Sequence, residues 1–274
     1  MKFAIFSKID KDVSYVERLV LEACYKNGFS LDEQNPDFLF VLGGDGTFLR
    51  AVHEYMDKID SIKFVNIRCG TLGFFFEFEV GDIKDVVEMI VKGKYKDETH
   101  RLIECKLNKK TIYALNEIRF ENPFHTLVCN VKINDVDVET FHGNGLLVCS
   151  ELGSAAYNKS LGGSIISHDL DLLELTEIST IQNNSYRSLG SSIILKPDTT
   201  ITFSGNFYNV IVGYDHLTCN PNGANDIKVT AADKRVHIVY SEKYCFLDNL
   251  KRSFVKWYLW ALVVMIQRMT LAYS

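Results

Sequence analysis

The chain has 274 residues, 47% hydrophobic and 24% charged, with only four prolines. That is ordinary globular composition, long enough for one large domain or two modest ones. A formal charge of -5 gives no sign of a nucleic-acid surface, which would call for clustered Lys/Arg.

Seven cysteines are scattered, odd in number and never in a CxxC pair, so they read as small core residues of a reducing compartment and not as a disulfide or zinc framework. The opening "MKFAIFSKIDKD" meets Asp10 and Asp12 too early for a secretion signal, which makes a cytoplasmic location the expectation. "KFAIFS" then reads as a strand. From Asp10 the apolar residues Val13, Val16, Val20 and Cys24 recur at helical spacing, with Gly28 as the stop. "DFLFVL" is a continuous apolar run, as expected of a parallel strand covered on both faces. "TFLRAVHEYM" reads as a helix, "IKFVNI" as a strand, and "DIKDVVEMIVKG" as a helix ending near Gly93. Such alternation predicts an open parallel sheet.

After His100 the texture becomes short and β-rich, from "HRLIECKLN" and "TIYALNEIRF" through "TITFSG" to "VHIVYSE", interrupted around "AAYNKSLGG" and "LLELTEIST". The reading is therefore an α/β domain over residues 1–100, a β-rich domain over 101–250, and a segment 251–274 packing on the body or on a neighbouring subunit. The uncharged core of that last segment, Trp257–Ile266, is too short for a bilayer span, which needs about 20 residues.

The chemistry concentrates at "FLFVLGGDGTFLR", where a buried strand runs into Gly43-Gly44-Asp45-Gly46-Thr47. Glycine permits positive φ and close approach of a ligand, and a strand-to-helix turn offers free N–H groups at the positive end of a helix dipole. Phosphate suits such a turn, and the carboxylate within it suits a group that holds a metal–phosphate complex or takes a proton from an attacking hydroxyl. A tight turn whose Asp caps the next helix is the plainer reading of an isolated GDG. The GK[ST] of the P-loop and the dinucleotide GxGxxG are absent here.

GGDGT resembles a kinase superfamily that includes NAD kinases, diacylglycerol and sphingosine kinases, and phosphofructokinases. The later motifs "CGTLGFF", "LNEIRF", "HGNGLLVCSELGSAAYNKSLGG", "LTEIS" and "GYDHLT" resemble, in order and spacing, the bacterial NAD kinases, over roughly residues 1–255. A lipid kinase usually has Asn-Glu just after GGDGT, where this chain has Phe48-Leu49. The resemblance implies an α/β plus all-β two-domain fold: a Rossmann-like open sheet followed by a C-terminal β-sandwich, with NAD bound between them. It also implies a homodimer or homotetramer in which a neighbour completes the site. The reaction it implies is transfer of the terminal phosphoryl of ATP, with Mg²⁺, to the 2'-hydroxyl of NAD's adenosine ribose, giving NADP.

By the same resemblance Asp45 is the general base, and Gly44, Gly46 and Thr47 form the phosphate cradle. Phe74 packs on adenine, although a core phenylalanine after a turn is the alternative. Asn116 and Glu117 match the NAD-binding pair; without the family they are two polar residues on a strand. Ala156, Tyr157 and Ser160 line the dinucleotide, Ser179 contacts NAD from the same or a neighbouring subunit, and His216, beside Asp215, stands near the site or is a structural histidine at a strand end. Four positions depart from the family's usual text: His142 for Arg, Asn144 for Asp, Glu151 for Pro and Ala155 for Thr. They predict an active kinase with an altered, weaker nicotinamide-side site. Two further readings stay open, a dinucleotide-binding regulator that has lost catalysis and a diacylglycerol-type lipid kinase.

Overall fold

The computed structural model describes residues 1–7, 13–70, 73–108, 110–221 and 223–255. Asp10 and Asp12, the Thr71-Leu72 pair of "CGTLGFF" and the apolar tail Trp257–Ile266 lie outside the described residues. The chain divides into two compact units: Met1–Glu98, rejoined from His237 onward, and Thr99–Val236.

In the first unit the elements are β1 (Lys2–Ser7), α1 (Val13–Lys26), β2 (Ser30–Leu31), β3 (Phe38–Gly43), α2 (Asp45–Glu54), β4 (Lys63–Arg68), β5 (Phe78–Glu79) and α3 (Ile83–Val91). The strands β2, β1, β3 and β4 pair in parallel in that order, and β5 adds to the end of β4. Every residue of β3 is buried, because helices cover both faces of the sheet. Val13, Val16, Val20 and Cys24 of α1 and Ile83, Val86, Val87 and Ile90 of α3 form one core with Phe40, Leu42, Val65 and Ile67. On the opposite face Phe48 of α2 packs edge-on to Phe64 at 5.5 Å and against Phe75 at 5.1 Å.

The second unit holds β6 (Tyr95–Leu107, beginning in the first), β7 (Lys110–Ala114), β8 (Glu117–Glu121), β9 (Leu127–Ile133), β10 (Val136–Gly143), β11 (Gly145–Ser150), the short helix α4 (Tyr157–Ser160), β12 (Leu173–Ile178), β13 (Ile193–Leu195), β14 (Ile201–Gly205), β15 (Ile211–Tyr214), β16 (Leu217–Cys219) and β17 (Asp226–Ser241). One sheet runs β10-β9-β14-β17 with the β6–β7 hairpin attached; the other runs β13-β12-β11-β8-β15-β16. Their inward residues, among them Phe120, Phe141, Leu146, Val148, Phe203 and Ile227, share one core, which makes this unit a β-sandwich.

Two stretches differ from the sequence reading. "LLELTEIST", taken as an interruption, contains β12, paired on both sides by β11 and β13. Glu174 alternates with Leu173 and Leu175 as a solvent-facing residue would, yet it is fully buried, because Asn158 Nδ2 and the Ser164 N–H satisfy its two oxygens at 2.9 and 2.8 Å. Residues 237–250 do not continue the β-domain. The end of β17 pairs in parallel with β4 through His237 and Ile238, and α5 (Phe246–Phe254) follows within the first unit.

Candidate active site

In the first unit, the GGDGT turn is tighter than the motif suggests. β3 extends through Gly43, Gly44 is extended at φ -135 and ψ -172, and α2 already includes Asp45, Gly46 and Thr47. None of the three glycines is among the positive-φ residues, so left-handed freedom is not why they are there. At Gly43 the reason is space: a Cβ would lie 2.3 Å from Thr47 Oγ1 and 2.6 Å from Thr47 Cβ. Thr47 is buried and its N–H is bonded to the Gly44 carbonyl at 2.8 Å.

Asp45 sits in the first turn of α2, where the dipole favours negative charge. Its Oδ2 accepts from the Phe74 N–H at 2.9 Å and its Oδ1 from the Phe75 N–H at 3.1 Å. Burial raises its pKa above the usual carboxylate value, and these two N–H groups pull the other way. The Phe74 ring is buried, with Phe75 at 5.9 Å, Phe246 at 6.2 Å and Phe254 at 5.9 Å.

The second unit gathers its own group. Asn116 precedes β8, Glu117 opens it, and both are buried. Asp215, which the sequence reading mentioned only beside His216, anchors them: its carboxylate accepts from the Leu115 and Asn116 N–H groups at 2.8 and 2.7 Å, and its own N–H donates to the Glu117 carbonyl at 3.1 Å. The "DH" spelling is the signal that was available for it. Arg119 then bridges Glu117 and Glu121, donating to each at 2.8 Å, and lies 5.7 Å from the Tyr157 ring. Burial, then the charge of Asp215, lifts the Glu117 carboxyl to about 7 against the pull of Arg119.

Gly153 lets the GSAAY loop meet this group, since a Cβ there would stand 1.9 Å from the Asn116 carbonyl oxygen. Ser150 fixes the junction, its N–H on the Asn116 carbonyl at 3.0 Å and its hydroxyl on the Leu115 carbonyl at 2.5 Å. Below the loop Asn158, absent from the candidate residues, is fully buried and receives the Thr176 hydroxyl at 2.6 Å while donating to Glu174. Tyr157, Ser160 and His216 are exposed, and Ala155 and Ala156 are half-buried.

Three candidates gather elsewhere. His142, Asn144 and Ser179 lie where β10 ends, β11 begins and β12 ends, the opposite end of β8 and β11 from Asn116 and Ser150. At about 3.3 Å per residue that is roughly 15–20 Å away. The Asn144 N–H donates to the Ile178 carbonyl at 3.1 Å and its Nδ2 to the Asn122 carbonyl at 3.3 Å, a bond that an Asp could not donate. His142 meets the Tyr186 ring at 4.1 Å. Glu151, where the resemblance leads one to expect Pro, is buried with Oε1 3.0 Å from His100 Nδ1, and its carbonyl accepts from Ser154 Oγ at 2.7 Å. A buried side-chain anchor thus replaces the stiffness of the proline ring.

Known proteins place this arrangement. The family model for the ATP-NAD kinase N-terminal domain matches residues 8–95. A NAD kinase 1 of Bacillus anthracis is 32% identical over 262 residues, covering 93% of this chain and 99% of that one. The chain belongs to the NAD kinase family. A NAD kinase of Leuconostoc citreum is 29% identical over 260 residues, covering 93% of this chain and 98% of that one. Two solved members of the fold are a yeast NADH kinase complexed with NADH (TM-score 0.76, 19% identity, covering 92% of this chain and 86% of that one) and an NAD kinase from Archaeoglobus fulgidus in complex with ATP (TM-score 0.73, 19% identity, covering 92% and 96%).

Proposed function

We infer that this chain is an ATP-dependent NAD kinase, a phosphotransferase that moves the γ-phosphoryl of ATP to the 2'-hydroxyl of the adenosine ribose of NAD and so makes NADP. The observation that carries the role of Asp45 is the disposition of its carboxylate: buried, at a helix start, with one N–H on each oxygen. A carboxylate has about four lone-pair sites, so each oxygen keeps one for a hydroxyl. Asp45 orients the ribose 2'-hydroxyl and takes its proton as the oxygen bonds to the γ-phosphorus and ADP leaves with the bridging electron pair. Gly44, Gly46 and the start of α2 face the phosphates with the positive helix end. Asn116 and Glu117 hold the dinucleotide by a base edge and a ribose hydroxyl or amine, with Tyr157 as a stacking ring and Ser160 as a polar contact.

No group of three His, Cys, Asp or Glu side chains among the described residues could cage a metal ion. A Mg²⁺ would arrive on the triphosphate, held mostly by phosphate oxygens and water, and when bound would neutralise phosphate charge.

The homo-oligomer is part of the same proposal. What supports it is the distance along β8 and β11 that separates His142, Asn144 and Ser179 from Asn116, Glu117 and Tyr157. A second copy supplying one cluster to the other's ligand makes use of both. A cytoplasmic protein is in keeping with this substrate, and among the described residues no helix is long and apolar enough to cross a membrane.

The test is to incubate purified protein with ATP, Mg²⁺ and NAD and to follow NADP with an NADP-specific dehydrogenase. NADP formation is expected. NAD binding without product would mean a regulator, and phosphorylation of a lipid alcohol with indifference to NAD a lipid kinase.

A further inference from the structure

The segment Phe74–Phe76 is held on both edges of its backbone. Its N–H edge carries Asp45, through the Phe74 and Phe75 amides. Its carbonyl edge is taken by three side chains, one from nearby β4 and two from distant α5. Asn249 Nδ2 of α5 donates to the Phe74 carbonyl, Asn66 Nδ2 of β4 donates to the Phe75 carbonyl at 3.0 Å, and the Arg252 guanidinium of α5 donates to the Phe76 carbonyl. Arg252 also donates to Asn249 Oδ1 at 2.7 Å, so the two α5 residues brace each other. Asn66 is 2% exposed and Asn249 is 4% exposed. Burying an amide N–H is costly unless it finds an acceptor, and both Nδ2 groups find theirs on one short loop.

The consequence follows from peptide planarity. The Phe74 carbonyl and the Phe75 N–H belong to one rigid unit, pointing in opposite directions. A donor fixed on that carbonyl therefore aims that N–H, and the N–H ends on Asp45 Oδ1. The peptide is polarised from both sides, which strengthens each bond. Asn66 fixes the next peptide plane and with it the rotation about Phe75. Gly73 closes the loop tightly, since a Cβ there would meet Phe76 Cδ2 at 2.8 Å.

We propose that Asn66, Asn249 and Arg252 are positioning residues for phosphoryl transfer, acting through the carbonyls of Phe74, Phe75 and Phe76 to aim the Asp45 carboxylate at the substrate hydroxyl. The proposal rests on the NAD kinase reading above and deepens it. It ties the last described helix of the chain to a carboxylate some two hundred residues earlier.

The experiment compares full-length Asn249→Ala, Asn66→Ala, Arg252→Ala and Arg252→Lys with the wild type in NADP formation. Hydrogen exchange of the Phe75 amide is followed by NMR, and thermal midpoints check folding. Misplacing a catalytic group by about 1 Å costs on the order of 100-fold. The alanine variants are therefore expected to lose about 10- to 100-fold in kcat, with KM for NAD and for ATP held within about twofold. Their Phe75 amide exchanges faster, and Arg252→Lys, which keeps a donor, recovers most of the rate. Lys251→Ala, exposed on the same helix, matches the wild type. If a buried-Asn variant fails to fold, the Arg252 pair carries the test. Alanine variants with wild-type kcat, or with KM raised and kcat kept, overturn the positioning role while leaving the kinase reading in place. A wild type that makes no NADP overturns the kinase reading itself.

Discussion

Asp215→Asn is the sharpest perturbation of the dinucleotide-side group. Asp215 is buried and left-handed at φ 49, a conformation that Asn tolerates as well as Asp. The substitution keeps shape and backbone while turning one of its two acceptor oxygens into a donor that faces an N–H. One of the bonds to Leu115 or Asn116, at 2.8 and 2.7 Å, is lost. A hydrogen bond to a charged group is worth about 1.5–3 kcal/mol, so the thermal midpoint should fall by roughly 3–10 °C. A second signature separates this from general damage. The charge of Asp215 is one of the forces raising the Glu117 carboxyl, so its removal should move the pH midpoint of NAD affinity downward from about 7. Differential scanning fluorimetry and isothermal titration with NAD between pH 5.5 and 8.5 read both. An unchanged thermal midpoint together with an unmoved pH midpoint would refute the anchoring role.

The pH dependence of the wild type has a definite sign. Glu117, raised to about 7 by burial and Asp215, is more readily protonated folded than unfolded. Its contribution to stability is thus full below about pH 4.3 and is lost as pH rises through 7. NAD affinity runs the other way, falling up to about tenfold per unit below pH 7, because the ionised carboxylate is the stronger acceptor for the ligand's hydroxyl or amine; Glu117→Gln should flatten both profiles in titrations. Asn144→Asp sets a carboxylate against the Asn122 carbonyl and should cost about 0.5–1.5 kcal/mol, read by urea denaturation. Glu151→Ala removes the acceptor at His100 Nδ1 and should destabilise by about 1–3 kcal/mol in the same assay, with Glu151→Gln close to wild type.

What sequence made legible was local and periodic. Phe38–Leu42 announced a parallel strand, Val13 to Cys24 a helix face, and both are found. The turn after β3 was placed correctly, but its glycines are not left-handed. Its glycines suggested positive φ, whereas Gly43 is needed because Thr47 packs against it. That β12 is buried on both faces was hidden, because Glu174 reads as solvent-facing until its partners, sixteen and ten residues away, are known. The return of β17 and α5 to the first unit had no local signal at all. It depends on pairing between His237 and Lys63 and on Asn249 reaching Phe74, 175 positions earlier. Of the candidate site, the motif residues themselves were readable, while the side chains that hold them, Asp215 excepted, were not. Asn66, Asn158 and Asn249 are common polar residues whose role is set by what the fold brings near them.

The central claim is that Asp45 activates the hydroxyl that receives phosphate. Its most direct test is single-turnover NADP formation by Asp45→Asn, alongside its NAD affinity by isothermal titration. Wild-type-like NAD binding with NADP formation lost by several orders of magnitude is the predicted result. An Asp45→Asn protein that still makes NADP at a rate near the wild type's would contradict it.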